Sequence, residues 1–372
     1  MKIILWHLGR KGAGPKYNLE MALALKKEGY DVYACISKQA ENANDYKKHN
    51  INHLSLNTYT GGVSALINSL RLPWLINEFK DYLKINRITH VYCTMPHIWN
   101  FFFSKRFKKL DISYLLTIHD AELHSGEENK LIDILMKQDR KNADGIVVLT
   151  KHVKEQLKKL GKSIFIIPHP AFSFNNNKNS AKSIVPDQKI KLLFFGRIHH
   201  YKGLDILIDA FEILNKKNNR YSLSIYGSGN ISPYQKKILE LSNITVHNRW
   251  IDDVEIPSII SSHDVCVIPY RDASQSGVIP TVMTCGVPLV VTPVAGLKEQ
   301  VVHLQTAIFA EEVSSDSVAR AIDSLVKDIS LYEKISKNAL LYAQEEMGWE
   351  KAAYRSVEAL ISITHNSKKY NQ

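Results

Sequence analysis

The sequence predicts an α/β protein of 372 residues in two doubly wound parallel-sheet domains facing a cleft. Three observations point there. Short apolar runs without strict alternation recur, each followed by a turn and commonly by a segment of helical period, which is how strands covered on both faces by helices read. A polar, Asn- and Ser-rich stretch, AFSFNNNKNSAKSIVPDQ (171–188), has the composition of a linker. Beyond it the same rhythm restarts, and the length suffices for two cores of ordinary size.

In the first domain, residues 1–170, MKIILWHL opens as a strand, a Gly-rich turn follows, and PKYNLEMALALKKEG reads as an amphipathic helix stopped by Gly29. YDVYACI, THVYCTM (89–95), SYLLTIHD (113–120), DGIVVLT (144–150) and IFIIPHP (164–170) continue the strands. The second domain, 189–345, runs KLLFFG, helix GLDILIDAFEILNKK, then strands YSLSIYG, NITVHN, DVCVIPY and PLVVT. WEKAAYRSVEALISI (349–363) is a closing helix, and THNSKKYNQ is expected to fray.

Net charge is +11, and all of it lies in residues 1–180; residues 181–372 balance 21 basic against 21 acidic residues. That asymmetry is compatible with a polyanion, an anionic membrane surface or solubility alone. The runs SKRFKKL (104–110) and KHVKEQLKKLGKS (151–163) read as solvated helix faces. Nothing approaches the roughly 18 apolar residues of a membrane span, and IILWHL is shorter than a secretory h-region, so a cytoplasmic protein is expected. Cys35, Cys93, Cys266 and Cys285 are widely spaced in apolar surroundings and read as reduced core residues rather than zinc or redox ligands.

Ligands of open parallel sheets bind beyond the carboxyl ends of strands, so the informative residues should follow the strands. GRKGAGPKYN (9–18) supplies Gly12 and Gly14 but lacks the third glycine of G-x-G-x-x-G, which disfavours a nicotinamide enzyme and leaves either a ligand-contacting turn or a structural one. His119 and Asp120 end an apolar strand; that imidazole is placed to meet a substrate or else to satisfy neighbouring backbone. In FFGRIHHYKGLDILIDAF (194–211) a strand ends in Gly196, Arg197 emerges, Lys202 follows five residues later and Gly203 precedes a helix. A guanidinium fork and an ammonium at a strand-to-helix crossing fit a diphosphate.

GRIHHYKGLDILIDAF resembles the G-R-x4-K-G signature of glycosyltransferase family 4. GAGPKYNLEMALALKKEGYDVYA, TIHD, YGSGN (226–230), HDVCVIPY and TCGVPLVVTPVAGLKEQV are similar to other family segments and fall in the family's order, over roughly residues 1–365. The resemblance implies the GT-B fold, two Rossmann-like domains with the acceptor on the N-terminal side and the donor on the C-terminal side, and a closing helix over 346–365 packing back on the N-terminal domain. It implies a retaining transferase that moves a sugar from a nucleotide-diphosphate donor with no metal and no other cofactor. Arg197 and Lys202 then neutralise the leaving diphosphate, His119 joins them as a catalytic residue, and Gly12, Gly14, Gly227 and Glu299 contact the donor.

One departure stands out in RDASQSGVIPTVMTCGVPLVV (271–291). The family places two glutamates here, one on the donor sugar and one on the ribose; the aligned residues are Ala273 and Thr281. The stretch resembles a family variant in which Q-S-G-V replaces the acids, so Ser274, Gln275, Ser276, Gly277 and Val278 are expected to cradle the donor, with Thr281 making one hydrogen bond. Trp250, in HNRWIDD, is either a platform for the base or a core residue. For the acceptor, a saccharide or lipid-linked molecule is expected. PHIWNFFFSKRFKKL (96–110) sets Trp99, Phe102, Phe103 and Phe107 among cations, which suits an anionic membrane as well as a core segment. No nucleic-acid partner is expected. The competing readings are a nucleotide-sugar epimerase of the same fold, which would need several carboxylates where this loop has only Asp272, and a non-enzymatic polyanion-binding protein.

Overall fold

A computed structural model describes residues 1–121, 130–172 and 180–369. The chain forms two units: Met1–Pro168 together with Trp349–Gln372, and His169–Gly348.

The N-terminal unit holds seven parallel strands, β1 (Lys2–His7), β2 (Asp31–Ser37), β3 (Asn52–Leu56), β4 (His90–Cys93), β5 (Ser113–Ile118), β6 (Gly145–Val148) and β7 (Ser163–Ile166). Their spatial order is β3-β2-β1-β4-β5-β6-β7. The C-terminal unit holds six, β8 (Ile190–Phe195), β9 (Tyr221–Tyr226), β10 (Ile244–His247), β11 (Val265–Ile268), β12 (Leu289–Val291) and β13 (Ile308–Phe309), in the order β10-β9-β8-β11-β12-β13. In each sheet the strand order reverses once, between β1 and β4 and between β8 and β11. Those reversals are where open parallel sheets leave a crevice at the carboxyl ends of the strands.

Burial explains why these runs do not alternate in polarity. Leu192 and Phe194 of β8 enter one core with Leu207, Phe211 and Ile225, while Leu193, between them, enters another with Cys266, Ile268, Met283 and Leu289. Successive side chains point to opposite faces, and both faces are dry. The helix Leu204–Lys217 buries Leu204, Leu207, Ile208, Phe211 and Leu214, the spacing of one helical face. All four cysteines are buried and free.

Four sequence expectations need correction. Strands β3 and β13 were not anticipated: β3 carries Asn52, His53 and Ser55, and β13 has two residues. The closing helix runs Trp349–Lys369, through most of the tail expected to fray, and packs on helix Ala13–Lys27 and β5, which puts it in the N-terminal unit. Trp99, Phe103 and Phe107 are 3%, 1% and 3% exposed and pack with Trp6, Phe79 and Tyr114 in the core, so they present no aromatic face to a membrane. Part of the expected linker, 173–179, lies outside the described residues; the rest of its irregular segment is tied down, with Ile184 in the core and the Lys182 ammonium donating to the His263 carbonyl at 2.8 Å. Among the described residues no helix is long and apolar enough to cross a membrane.

Candidate functional site

In the C-terminal unit the site starts where β8 ends. Gly196 takes φ 120, and a Cβ there would lie 3.5 Å from both the Lys202 Nζ and Val278. Arg197 follows, exposed. Lys202 closes a short 3-10 turn, His200–Lys202, and Gly203, at φ 66, starts the next helix with a Cβ position 2.0 Å from the Pro269 carbonyl oxygen. Only glycine lets the backbones pass that closely.

The Lys202 ammonium is 8% exposed and donates to the Tyr270 hydroxyl at 2.6 Å. It lies 4.3 Å from the Tyr270 ring centroid and 5.7 Å from that of Tyr201, so two π faces and a phenol oxygen fix its direction. Burial pushes the Tyr270 phenol up, while a hydrogen bond with the Ser276 side chain and the charge of Arg197 oppose that rise. One hydroxyl thus links the lysine, the arginine's field and the 274–277 loop.

Arg271 braces this arrangement. Its guanidinium engages both carboxylate oxygens of Asp205, Nη1 donates to the His200 carbonyl at 3.1 Å, and its amide donates to the Tyr201 carbonyl at 2.7 Å. The arginine and this bidentate pairing hold the lysine's turn against the end of β11.

The loop itself is held from below. Gln300 Oε1 accepts the Ser276 amide at 2.7 Å, and Gln300 Nε2 donates to the Ser276 carbonyl at 3.0 Å. The Gly296 amide donates to the Ala273 carbonyl at 3.1 Å, and a Cβ on Gly296 would meet the Ser274 carbonyl at 2.1 Å. Ser276 is 4% exposed, and its hydroxyl accepts the Val278 amide at 3.3 Å. Gln275 Oε1 is a buried acceptor with no hydrogen-bond partner among the described residues. His169, 4% exposed, puts Nε2 3.4 Å from where a Gly277 Cβ would stand.

Several expected residues have structural duties here. Two cradle amides, of Ser276 and Val278, are engaged by side chains of the protein itself. Thr281 is buried and its hydroxyl donates to the Gly277 carbonyl of its own helix at 2.8 Å. At Gly227, φ is 146 and a Cβ would sit 1.9 Å from the Gly196 carbonyl oxygen, so this glycine lets the β8 and β9 ends run side by side. Glu299 is exposed on the short turn Leu297–Glu299. Trp250 is 46% exposed and therefore not a core tryptophan.

In the N-terminal unit the Gly12 amide, at φ 89, donates to Glu41 Oε1 at 2.9 Å. Gly14 is needed because a Cβ would stand 2.5 Å from His7 Nε2. His7, buried at the end of β1, bonds to the Met95 carbonyl at 3.3 Å, and burial brings its pKa down to about 4. His119 is 7% exposed, its Nε2 donates to the Thr94 carbonyl at 3.0 Å, and burial lowers its pKa. His97 bonds to the Tyr59 hydroxyl at 2.8 Å and is lowered to about 3 by burial and then by the charges of His7 and Arg10. The structure therefore gathers three neutral imidazoles at this sheet's carboxyl edge.

Sequence reading missed Tyr270, Gln300, Arg271, His169 and His7. Two carried a local signal: Tyr270 closes the run HDVCVIPY, and His7 is a polar residue at the end of an apolar strand. Gln300 carried none, since 24 positions separate it from Ser276.

Comparison with known proteins agrees with this architecture. A sequence model described as Glycosyltransferase Family 4 matches residues 15–171, and one described as Glycosyl transferases group 1 matches 175–341. The chain is similar to an uncharacterized glycosyltransferase of Methanocaldococcus jannaschii, 25% identical over 364 residues, covering 87% of this chain and 88% of that one. It is also similar to the D-inositol 3-phosphate glycosyltransferase of Paenarthrobacter aurescens, 27% identical over 194 residues, covering 50% of this chain and 47% of that one. Among solved structures, the fold is that of sucrose-phosphate synthase from Thermosynechococcus elongatus, with TM-score 0.76 and 17% identity over 98% of this chain and 99% of that one. Anabaena HepE gives TM-score 0.74 and 15% identity over 97% and 100%. With nearly every residue from 15 to 341 matched by the two models, on two parallel sheets of the GT-B kind, the chain belongs to glycosyltransferase family 4 and is a glycosyltransferase.

Proposed function

We propose that this enzyme transfers a hexose-type sugar from a nucleotide-diphosphate donor, with retention, to a saccharide or lipid-linked acceptor, in the synthesis of cell-surface polysaccharide or glycolipid on the cytoplasmic side. The observation that carries the reading is the buried Lys202 ammonium, aimed by the Tyr270 hydroxyl and held against the Tyr201 and Tyr270 rings. HepE, which shares the fold, has been crystallised with UDP-glucose, and this supports a donor of that class.

As the glycosidic bond loosens, negative charge grows on the leaving diphosphate. Lys202 and Arg197 neutralise it from fixed positions, which is the preorganised electrostatic stabilisation that costs no rearrangement during the reaction. Two cations supply the charge a divalent metal would otherwise bring, so transfer is expected to persist in a chelator. Gln275 Oε1, buried and without a donor among the described residues, accepts a sugar hydroxyl, and Gly277 lets the donor's terminal phosphate approach the backbone. Trp250 offers its exposed ring to the base.

The test is release of nucleoside diphosphate with and without acceptor, after uridine and guanosine diphosphate sugars have been screened for a rise in melting temperature. Lys202→Ala is expected to lower turnover by on the order of 10²–10³ with the melting temperature unchanged. Unaltered turnover in that variant overturns the reading; conversion of the donor sugar without any acceptor marks an epimerase instead.

A further inference from the structure

We propose that helix Gly62–Ser69, with Leu70 and Trp74 just beyond it, is a docking surface that seats the N-terminal unit on an anionic lipid bilayer. The helix is inside out. Its polar side chains turn to the protein: Ser64 Oγ accepts the amides of Thr60 and Gly61 at 2.9 and 2.8 Å, Asn68 donates to the Thr58 carbonyl, and Ser69 Oγ accepts the Trp99 indole N–H at 3.2 Å. Its apolar side chains turn outward, with Val63, Leu66, Ile67 and Leu70 exposed by 78, 78, 61 and 76% and Trp74 by 69%. None of the eight helix residues is buried.

The spacing 63, 66, 67, 70 puts these four side chains on one stripe about 100° wide, and Trp74 stands beyond it in the first turn of the next helix, Leu72–Ile85. Single exposed leucines are ordinary, whereas a contiguous apolar stripe facing water marks a surface that another phase covers. A tryptophan at the stripe's end suits the boundary between headgroups and acyl chains.

Charge selects the occupant. Residues 51–110 contain eight Lys and Arg against two Asp and Glu, so six of the eleven excess charges lie in the segment that carries the stripe. Arg71 lies exposed in the turn between the two helices. Trp99, which holds Ser69, leads into the segment where the Lys105 ammonium lies 5.6 and 5.9 Å from the Phe101 and Phe102 rings, followed by Arg106, Lys108 and Lys109. A second copy of this chain would set like charge against like charge. Anionic headgroups neutralise the cations while acyl chains receive the stripe. The expected membrane contact of this unit thus moves from Trp99, Phe103 and Phe107, which are core, to the helix beside them.

The experiment is flotation of the full chain with vesicles of phosphatidylcholine alone and of phosphatidylcholine with about one-third phosphatidylglycerol. The chain is expected to float with the anionic vesicles, less so at high salt. Leu66→Ser with Ile67→Ser should cut the bound fraction by about tenfold or more at unchanged melting temperature. The blue shift of tryptophan emission on vesicle binding should be lost in Trp74→Phe. Failure to float with anionic vesicles, flotation indifferent to the Leu66 and Ile67 changes, or a concentration-dependent dimer that those changes abolish overturns the proposal.

Discussion

The Tyr270 hydroxyl accepts a hydrogen bond from the Lys202 ammonium, to which the proposed mechanism assigns the leaving diphosphate, and sits beside Ser276 of the 274–277 loop. Tyr270→Phe keeps the ring under Lys202, at 4.3 Å, and removes only the oxygen that aims it. A hydrogen bond involving a charged group contributes about 1.5–3 kcal/mol, so kcat is expected to fall by roughly ten- to a hundredfold and the melting temperature by several degrees. Steady-state kinetics beside a thermal melt checks both parts; an unchanged kcat would mean that the ring alone positions the lysine. Gln300→Ala acts differently. It strips both bonds from the Ser276 peptide unit and so loosens the loop, and the expected result is a higher KM for donor with a smaller change in kcat. The strand-to-helix crossing that carries Arg197 and Lys202 was legible because a strand, a glycine and a helix follow one another within a dozen residues. Tyr270 lies 68 positions from Lys202, and only the adjacency of β8 and β11 brings them together.

At the scale of elements, the glycines of the β8 and β9 loops are spacers between backbones. The Ile198 amide donates to the Ser228 carbonyl at 2.9 Å, and Gly196 to Tyr226 at 3.0 Å, so the two chains continue side by side beyond the strands. Gly227→Ala would drive a methyl group to 1.9 Å from the Gly196 carbonyl oxygen and force them apart. The cost is expected to exceed about 2 kcal/mol, and because Arg197 rides on one of these chains, the donor's thermal stabilisation should vanish as well. Differential scanning calorimetry with and without nucleotide sugar measures both effects. Elements with strong periodicity, such as Leu204–Lys217, were readable from sequence because their apolar face faces a core. The helix Gly62–Ser69 was not, because it carries its apolar residues on the outside, against the pattern that makes helices recognisable. Strand β3 escaped for a related reason, since its edge position tolerates Asn52, His53 and Ser55.

The whole molecule divides its acid-sensitive groups unevenly. His7, His90 and His97, all in the N-terminal unit, are depressed by burial from the ordinary 6.5 to about 4, 4 and 3. Each stays neutral in the folded unit down to those values, whereas in the unfolded chain it takes a proton near pH 6.5. Folded-state stability is therefore complete above pH 6.5 and falls as the pH drops. Asp139, in the same unit, works the other way. Burial raises it to about 6, despite bonds from Ser104 and Tyr114, so below pH 6 it binds a proton when folded that the unfolded chain takes up only near 3.8. His119, also lowered by burial, adds to the imidazoles, and Asp144, also raised by burial, adds to Asp139, so four groups favour unfolding and two favour folding, a net of about two protons, or about 3 kcal/mol per pH unit. That slope is steep beside a total stability of about 5–15 kcal/mol. Mild acid should thus open the N-terminal unit first. Hydrogen exchange resolved by peptide, at pH 6.5 and near 5 with intrinsic rates corrected, is expected to show protection lost in β1, β4 and β5 before β8 and β11; simultaneous loss in both sheets would mean that the buried imidazoles do not control acid unfolding.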